Sequence, residues 1–287
     1  MGGRSVHYRL PCGAARTPLM KLTGERPIEG KTPPSLLALH DAGYREVRQR
    51  LGSGTVLDLG CGLGDATAGL GGPDRRLVGI DYHAPTAVAA HRRHGFATIG
   101  ADGAALPLRS RSVDAVCSSH LIEHFKTPAN HVAEVSRVLG RQGTAFFITP
   151  NAPADFENPY HVSLFEPQAL ASLLGRFFDE VEVLGLDGDA VVKADFARRR
   201  RLANRVLRLD RWGLRHRLPR PAYVGLHAVA RRTLYPLLAL RSDAGPAISA
   251  DRFAISPTID TETLVLFAVA RRPRTRAVAR PRADAPA

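Results

Sequence analysis

The segment Val56 to Thr67, VLDLGCGLGDAT, constrains this chain more than any other. A short apolar strand carrying the acidic Asp58 runs into Gly60, Gly62 and Gly64, and a helical pattern opens at Asp65. Glycines at such a turn take up positive φ and let the backbone approach a ligand closely.

The chain then alternates strand-like apolar runs with helical patterns. TVLDLG is followed by a helix from Asp65, LVGID by a helix over 84–94, and ATIGAD and DAVCSS by a helix over 128–139. TAFFITP precedes a helix over 166–174, then come EVEVLGL and, much later, TLVLFAVA. This alternation predicts right-handed βαβ units around a buried parallel sheet. Before it, Leu36, Leu37, Leu39, Tyr44, Val47 and Leu51 recur at helical spacing behind Pro33 and Pro34, with Ser35 as the expected N-cap. A length of 287 residues suffices for a large core without disulfide or metal staples. Cys12, Cys61 and Cys117 are too far apart for a metal-binding CxxC pair and too few for a disulfide framework, which fits a reducing cytosol. No metal site is expected.

Asp58 stands two residues before the first glycine, where a carboxylate would face a cationic amino group. A nicotinamide dinucleotide fingerprint, GxGxxG, does not need that acid and wants Gly or Ala at position 65, which is Asp here. Asp81 closes LVGID roughly 20 residues on, where a carboxylate can accept hydrogen bonds from both ribose hydroxyls. Asp102 follows the third strand in IGADGAALPL, and SVDAVCSSHLIEHF empties a fourth strand into a loop. Four strand ends thus offer polar groups toward one crevice.

These segments, with EVSRVLGRQGTAFFITPN, resemble the class I S-adenosylmethionine-dependent methyltransferases, most of all the subgroup that includes quinone-biosynthetic enzymes. The resemblance covers Thr55 to Asn151 and echoes through HVSLFEPQALASLL. It implies a Rossmann-like, doubly wound α/β fold: a mostly parallel seven-stranded sheet, helices on both faces and a helical insertion before the last strand. It implies S-adenosyl-L-methionine as cofactor, with Asp58, Gly60, Cys61, Gly62 and Gly64 around the methionine part. Asp81 and Tyr82 would serve the ribose side, Asp102 and Gly103 the adenine, and Ser119 and His120 would flank the methyl donor. The expected organisation is a tail or lid at 1–34, a core at 35–188, a basic insertion at 189–252, a final core strand at 253–271 and a disordered tail at 272–287.

The sulfonium already activates the methyl group, so the enzyme mainly aligns an acceptor for in-line attack. For a hydroxyl acceptor the candidate bases are His161, His120 and His124, whose ordinary pKa suits proton removal near neutrality. The acceptor class is expected to be a small molecule, a glycan or a lipid-linked compound.

The net charge is +13, nearly all of the excess from arginine, which an Arg-, Ala- and Pro-rich composition also produces without any function. Arg198 to Arg201 form a row, and Leu202, Val206 and Leu209 share one helical face behind it. The insertion reads as a lid receiving an anionic acceptor, as a peripheral membrane contact through 194–220, or as a solvated face. A second helical stretch is expected at 223–240, kinked or ended by Pro236. Nucleic acid is disfavoured, since no RNA-binding motif and few stacking aromatics are present. No apolar run approaches the roughly 20 residues that span a bilayer, and a cytoplasmic location is expected, with or without peripheral contact to the inner face of the membrane. Met20 is an alternative start to Met1. An RNA or tRNA methyltransferase, a nicotinamide-dependent oxidoreductase and a noncatalytic cofactor-binding protein remain open alternatives.

Overall fold

A computed structural model of the chain describes residues 32–155, 160–207 and 247–274, with the backbone alone at 202–207. The second predicted helix of the insertion, the N-terminal tail and the residues after 274 lie outside the described residues.

The chain enters through helix α1 (Pro34–Arg50) and the strand β1 (Gly54–Leu59). The cap of helix α1 lies two residues earlier than predicted, at Pro33 rather than Ser35. Proline suits the first helical position because its missing N–H would find no partner there. One helical turn, α2 (Asp65–Ala68), follows the glycine loop, then β2 (Arg75–Asp81), α3 (Ala84–His94), β3 (Ala97–Gly100) and β4 (Val113–Ser119). Helix α4 (Pro128–Val138) leads into β5 (Leu139–Pro150), α5 (Pro167–Gly175) and β6 (Phe178–Gly188). Helix α6 (Ala190–Leu207), β7 (Phe253–Ser256) and β8 (Val265–Pro273) complete the described elements.

The strands form one sheet in the order β3-β2-β1-β4-β5-β8-β6-β7. β1 to β5 pair in parallel, while β8 runs antiparallel to β5 and β6, and β7 antiparallel to β6. Two expectations are corrected here. The sheet has eight strands among the described residues, because the segment read as one final strand makes two: Phe253–Ser256 adds a short edge with Phe253 buried, and the following strand returns through the sheet. Arg271 to Pro273, assigned in part to a disordered tail, instead finish β8 and pair with Thr144, Glu180 and Phe178.

Side chains alternate between two cores, as the two-residue period of a strand requires. On β1, Leu57 and Leu59 pack on the face covered by Val132, Val135 and Val138 of α4 and Leu170 and Leu174 of α5. Val56 faces the opposite layer, against Ala38, Leu39, Ala42 and Val47 of α1 and Val192 of α6. Each valine fully buried in this way contributes about 1.5–3 kcal/mol. The spacing of three on α4 is therefore what lays that helix against the sheet. Helix α1 comes close because Gly43 has no side chain: a Cβ there would sit 3.0 Å from Ile148 Cδ1.

Candidate functional site

Strand order reverses between β1 and β4: β2 and β3 build outward on one side, β4 and β5 on the other. Loops leaving the carboxyl ends of such neighbours part in opposite directions and open a crevice.

Asp58, near the end of β1, is fully buried. Thr67 Oγ1 donates to its Oδ2 at 2.5 Å, and the Tyr44 hydroxyl stands 3.2 Å from both carboxylate oxygens. Burial pushes the carboxyl up to about 6, against the downward pull of hydrogen bonds from Thr67, Tyr44 and Cys117. A cation at this point would restore full ionisation. The following loop is shaped by φ of +78° at Gly60, +55° at Gly62 and +86° at Gly64. At Gly64 both constraints act, since a Cβ would also lie 2.8 Å from Phe96 Cζ. A Cβ on Gly62 would meet nothing within 4 Å, so this stretch of backbone borders open space that a ligand can fill.

Asp81 reaches across the loop: Oδ2 accepts from Gly62 N–H at 3.1 Å and Oδ1 from His83 N–H at 2.8 Å. A carboxylate has about four acceptor positions, so capacity remains for ribose hydroxyls. Asp102 caps its own turn through Ala104 N–H at 2.8 Å, and the carbonyl of Gly103 accepts from His131 Nδ1 at 2.9 Å. Leu121 ties these parts together, lying 3.4 Å from a Cβ built on Gly60 and 3.5 Å from one on Gly103. Cys61 is buried, with Sγ 3.8 Å from the carbonyl of Gly62. Tyr82 instead stands 83% exposed beside Asp81.

Ser119 and His120 end β4. Ser119 Oγ and His120 Nε2 are buried without a hydrogen-bond partner, and His120 is held at φ +48°, where few residues other than glycine sit. Orphaned buried polar atoms and backbone strain concentrate where a ligand completes the bonding. This set fits S-adenosyl-L-methionine: a buried carboxylate for the ammonium, a glycine cradle, and a second carboxylate one strand over for the ribose.

Four contributors were not singled out from the sequence. Tyr44 and His40 lie one turn apart on α1, Tyr44 against Asp58 and His40 against His120, the two imidazole rings tilted by 45° with centroids 4.2 Å apart. Burial, then the neighbouring His120, holds His40 well below its ordinary pKa and therefore neutral. Thr67 is the short partner of Asp58 already described. His131 is fully buried between Gly103 and Ser118 Oγ, 2.9 Å from Nε2, and burial lowers it to about 4. The only signal for Tyr44 and His40 was polar atoms on a helix face that otherwise reads as core.

Of the predicted bases, His161 presents Nδ1 to Asp155 Oδ2 at 2.9 Å, and His124 Nδ1 donates to the carbonyl of Tyr160 at 3.0 Å. Their rings meet edge to face at 5.3 Å. His120 Nδ1 is 3.5 Å from Oε1 of Glu123, a fully buried carboxylate whose Oε2 accepts from Thr149 Oγ1 at 3.0 Å. Although no metal ligands were expected, Glu123, His124 and His161 each place one ligand atom within 4.8 Å of the other two. In the arginine row, Arg198 and Arg199 pair with Asp195, and Arg200 donates to the carbonyl of Ala154 at 2.8 Å. Arg201 is exposed. No helix among the described residues is long and apolar enough to cross a membrane.

Residues 57–147 match a family model described as a methyltransferase domain. A probable S-adenosylmethionine-dependent methyltransferase of Mycolicibacterium smegmatis is 32% identical over 171 residues, 57% of this chain and 66% of that one. A Mycobacterium tuberculosis protein of the same description is 32% identical over 188 residues, 61% of this chain and 68% of that one. The chain thus spans about two thirds of the length of these relatives. Among solved structures, a SAM-dependent methyltransferase of Thermotoga maritima superposes with a TM-score of 0.53 at 13% identity, covering 83% of this chain and 91% of that one. The [4+2]-cyclase SpnF gives 0.52 at 17% identity, with 81% of each chain covered. At such identities the two structures speak for the fold alone. With a methyltransferase-domain match over 57–147, 32% identity over 188 residues that cover 68% of a curated relative, and a sheet of the same fold, the chain belongs to the class I S-adenosylmethionine-dependent methyltransferases.

Proposed function

We propose that this protein transfers the methyl group of S-adenosyl-L-methionine to a hydroxyl of a small-molecule, glycan or lipid-linked acceptor, with the proton taken up in the histidine cluster beside the donor cradle. The observation that carries this reading is the grouping of His40, His120, His124 and His161 around Glu123, next to Leu121, which packs against the Gly60 turn. A sulfonium needs no further activation, so an aligned oxygen and a nearby proton acceptor are sufficient chemistry. Within this reading Asp58 holds the cofactor ammonium and Asp81 the ribose, while Gly60, Cys61, Gly62 and Gly64 line the methionine part. Asp102 and Gly103 face the adenine, Ser119 and His120 the methyl group, and the exposed Tyr82 would close over the ribose only by turning inward.

Incubation with methyl-labelled donor and fractionated small-molecule, glycan and lipid extracts identifies the acceptor by label transfer. With that acceptor, His120→Ala or His161→Ala is expected to slow turnover at least tenfold while leaving S-adenosylhomocysteine binding intact. Full turnover in both variants would remove the histidines from the chemistry and leave alignment alone.

For a lipid-linked acceptor, the basic stretch 194–220 would meet an anionic membrane surface. Three of the four arginines in its row have intramolecular partners, so Arg201 is the one to test. Arg201→Glu should reduce co-sedimentation with anionic vesicles, and unchanged binding would argue for a solvated face.

A further inference from the structure

The 3-10 turn Ile122–His124 is clamped to the segment that carries His161. Val162 N–H and Ser163 N–H both donate to the carbonyl of Glu123, at 2.8 and 3.0 Å, and His124 bonds the carbonyl of Tyr160. Backbone pairing, and not side-chain chance, therefore brings Glu123, His124 and His161 together, with one ligand atom of each inside 4.8 Å.

Two further observations point to what would bind. The Nδ1 atoms of both histidines face acceptors, the Asp155 carboxylate and the Tyr160 carbonyl, an arrangement in which Nδ1 is the donor and Nε2 the nitrogen that would ligate. Metal-ligating histidines are oriented in this way, by a carboxylate or a carbonyl on the far ring nitrogen. Glu123 is fully buried, and its Oε1 makes no hydrogen bond; His120 Nδ1 at 3.5 Å is too distant for a full-strength one. Among the described residues it has no ion pair with Lys or Arg, so titratable imidazoles are its recorded source of positive charge. An ionised carboxylate this deep is costly without a firm counter-charge.

We propose that Glu123, His124 and His161 form a site for a divalent cation of the Zn²⁺ or Mn²⁺ class, whose open coordination positions take the acceptor oxygen. Two imidazoles and one carboxylate suit a borderline cation, and three protein ligands leave positions for a substrate. Ligands about 2.1 Å from a metal lie roughly 3.4 Å apart in tetrahedral geometry, so atoms that already lie within 4.8 Å of one another would need to close by at most about 1.4 Å on binding. The proposal rests on the hydroxyl-acceptor reading above and gives its chemistry. Bound to the cation, the acceptor O–H loses its proton more readily. The oxygen then forms the new O–CH₃ bond as the methyl–sulfur bond breaks, its electron pair staying on sulfur to give the neutral thioether, and the proton leaves to His120 or to water. His124 and His161 are then ligands and not bases.

The test is calorimetric titration of the purified, chelator-treated full chain with ZnCl₂, MnCl₂ and MgCl₂, with S-adenosylhomocysteine binding measured in parallel. The expected result is one Zn²⁺ or Mn²⁺ per chain, Mg²⁺ weaker, and affinity lowered about 10- to 100-fold in His161→Ala and Glu123→Gln. Both variants should bind S-adenosylhomocysteine as the parent does. Should Glu123→Gln fail to fold, His161→Gln carries the same comparison. Absence of saturable Zn²⁺ and Mn²⁺ binding, or unchanged binding in the variants, overturns the cation site and leaves the donor site standing. Saturable metal binding lost in the variants, joined to an acceptor labelled on nitrogen or carbon, keeps the metal site and overturns its role toward a hydroxyl.

Discussion

Acidification should loosen the methyl donor, and Asp58 sets how much. Its carboxyl sits at about 6 in the unliganded protein, where an exposed Asp is near 3.9. Each pKa unit corresponds to about 1.4 kcal/mol, so the surroundings of Asp58, burial foremost and hydrogen bonds opposing it, disfavour its ionisation by a net of roughly 3 kcal/mol. In the role proposed for Asp58, the cofactor ammonium binds the ionised form. Below pH 6 a proton must leave before binding, and the dissociation constant rises by up to tenfold per pH unit. Between pH 7 and pH 5 the loss should be about tenfold. Calorimetric titration with S-adenosylhomocysteine in several buffers reads both the affinity and the proton released. In Asp58→Asn the affinity at pH 7 should drop by about 10- to 100-fold, as for a lost hydrogen bond to a charged group, and the pH dependence should flatten. A flat profile in the parent protein, or the same slope in Asp58→Asn, would refute the assignment.

Other consequences can be checked together. Tyr44→Phe removes a donor from Asp58, so its pKa rises further and cofactor affinity at pH 7 falls several-fold by the same calorimetry. His131, lowered to about 4 from 6.5, binds fewer protons folded than unfolded between those values; its stabilising share is present above pH 6.5 and is lost as pH falls toward 4, by about 3 kcal/mol. Urea unfolding of His131→Asn against the parent at pH 7 and pH 5 would show that difference shrink on acidification. Gly64→Ala meets both a left-handed φ and Phe96, and should cost about 2 kcal/mol or more in urea unfolding, with weakened cofactor binding. Phe267→Ala, in the middle of β8, should cost about 3–5 kcal/mol without altering cofactor contacts.

Much of this was legible because the parallel sheet imposes a strong pattern. The alternation of Val56, Leu57 and Leu59 between two cores, the valines of α4 and the glycine loop follow from local rules, and with them came Asp58 and Asp81. What escaped depends on contacts far apart in sequence. Phe253–Ser256 is too short to read as a strand and exists only because β6 offers a free edge. Tyr44 and His40 look like ordinary helix positions until α1 is laid across the crevice, which requires the close approach at Gly43. Tyr82, placed by resemblance beside the ribose, is turned to solvent, as a residue just past a strand end can be. The arginine row allows a lid, a membrane contact or a solvated face from sequence; Asp195, three and four residues before Arg198 and Arg199, pairs with part of it. The grouping of His124 with His161 required the backbone clamp between Glu123 and residues 162–163, which spacing alone does not reveal.

The central claim is that the crevice beyond β1 holds an adenosyl sulfonium through Asp58 and Asp81. Thermal-shift titration with S-adenosylmethionine, S-adenosylhomocysteine and NAD, in the parent protein and in Asp81→Ala, tests it most directly, because a ligand bound only by the native state raises its apparent stability. Stabilisation by the two adenosyl-sulfur ligands alone, lost in Asp81→Ala, is the predicted result; stabilisation by NAD alone, or the same shift in Asp81→Ala, would contradict it.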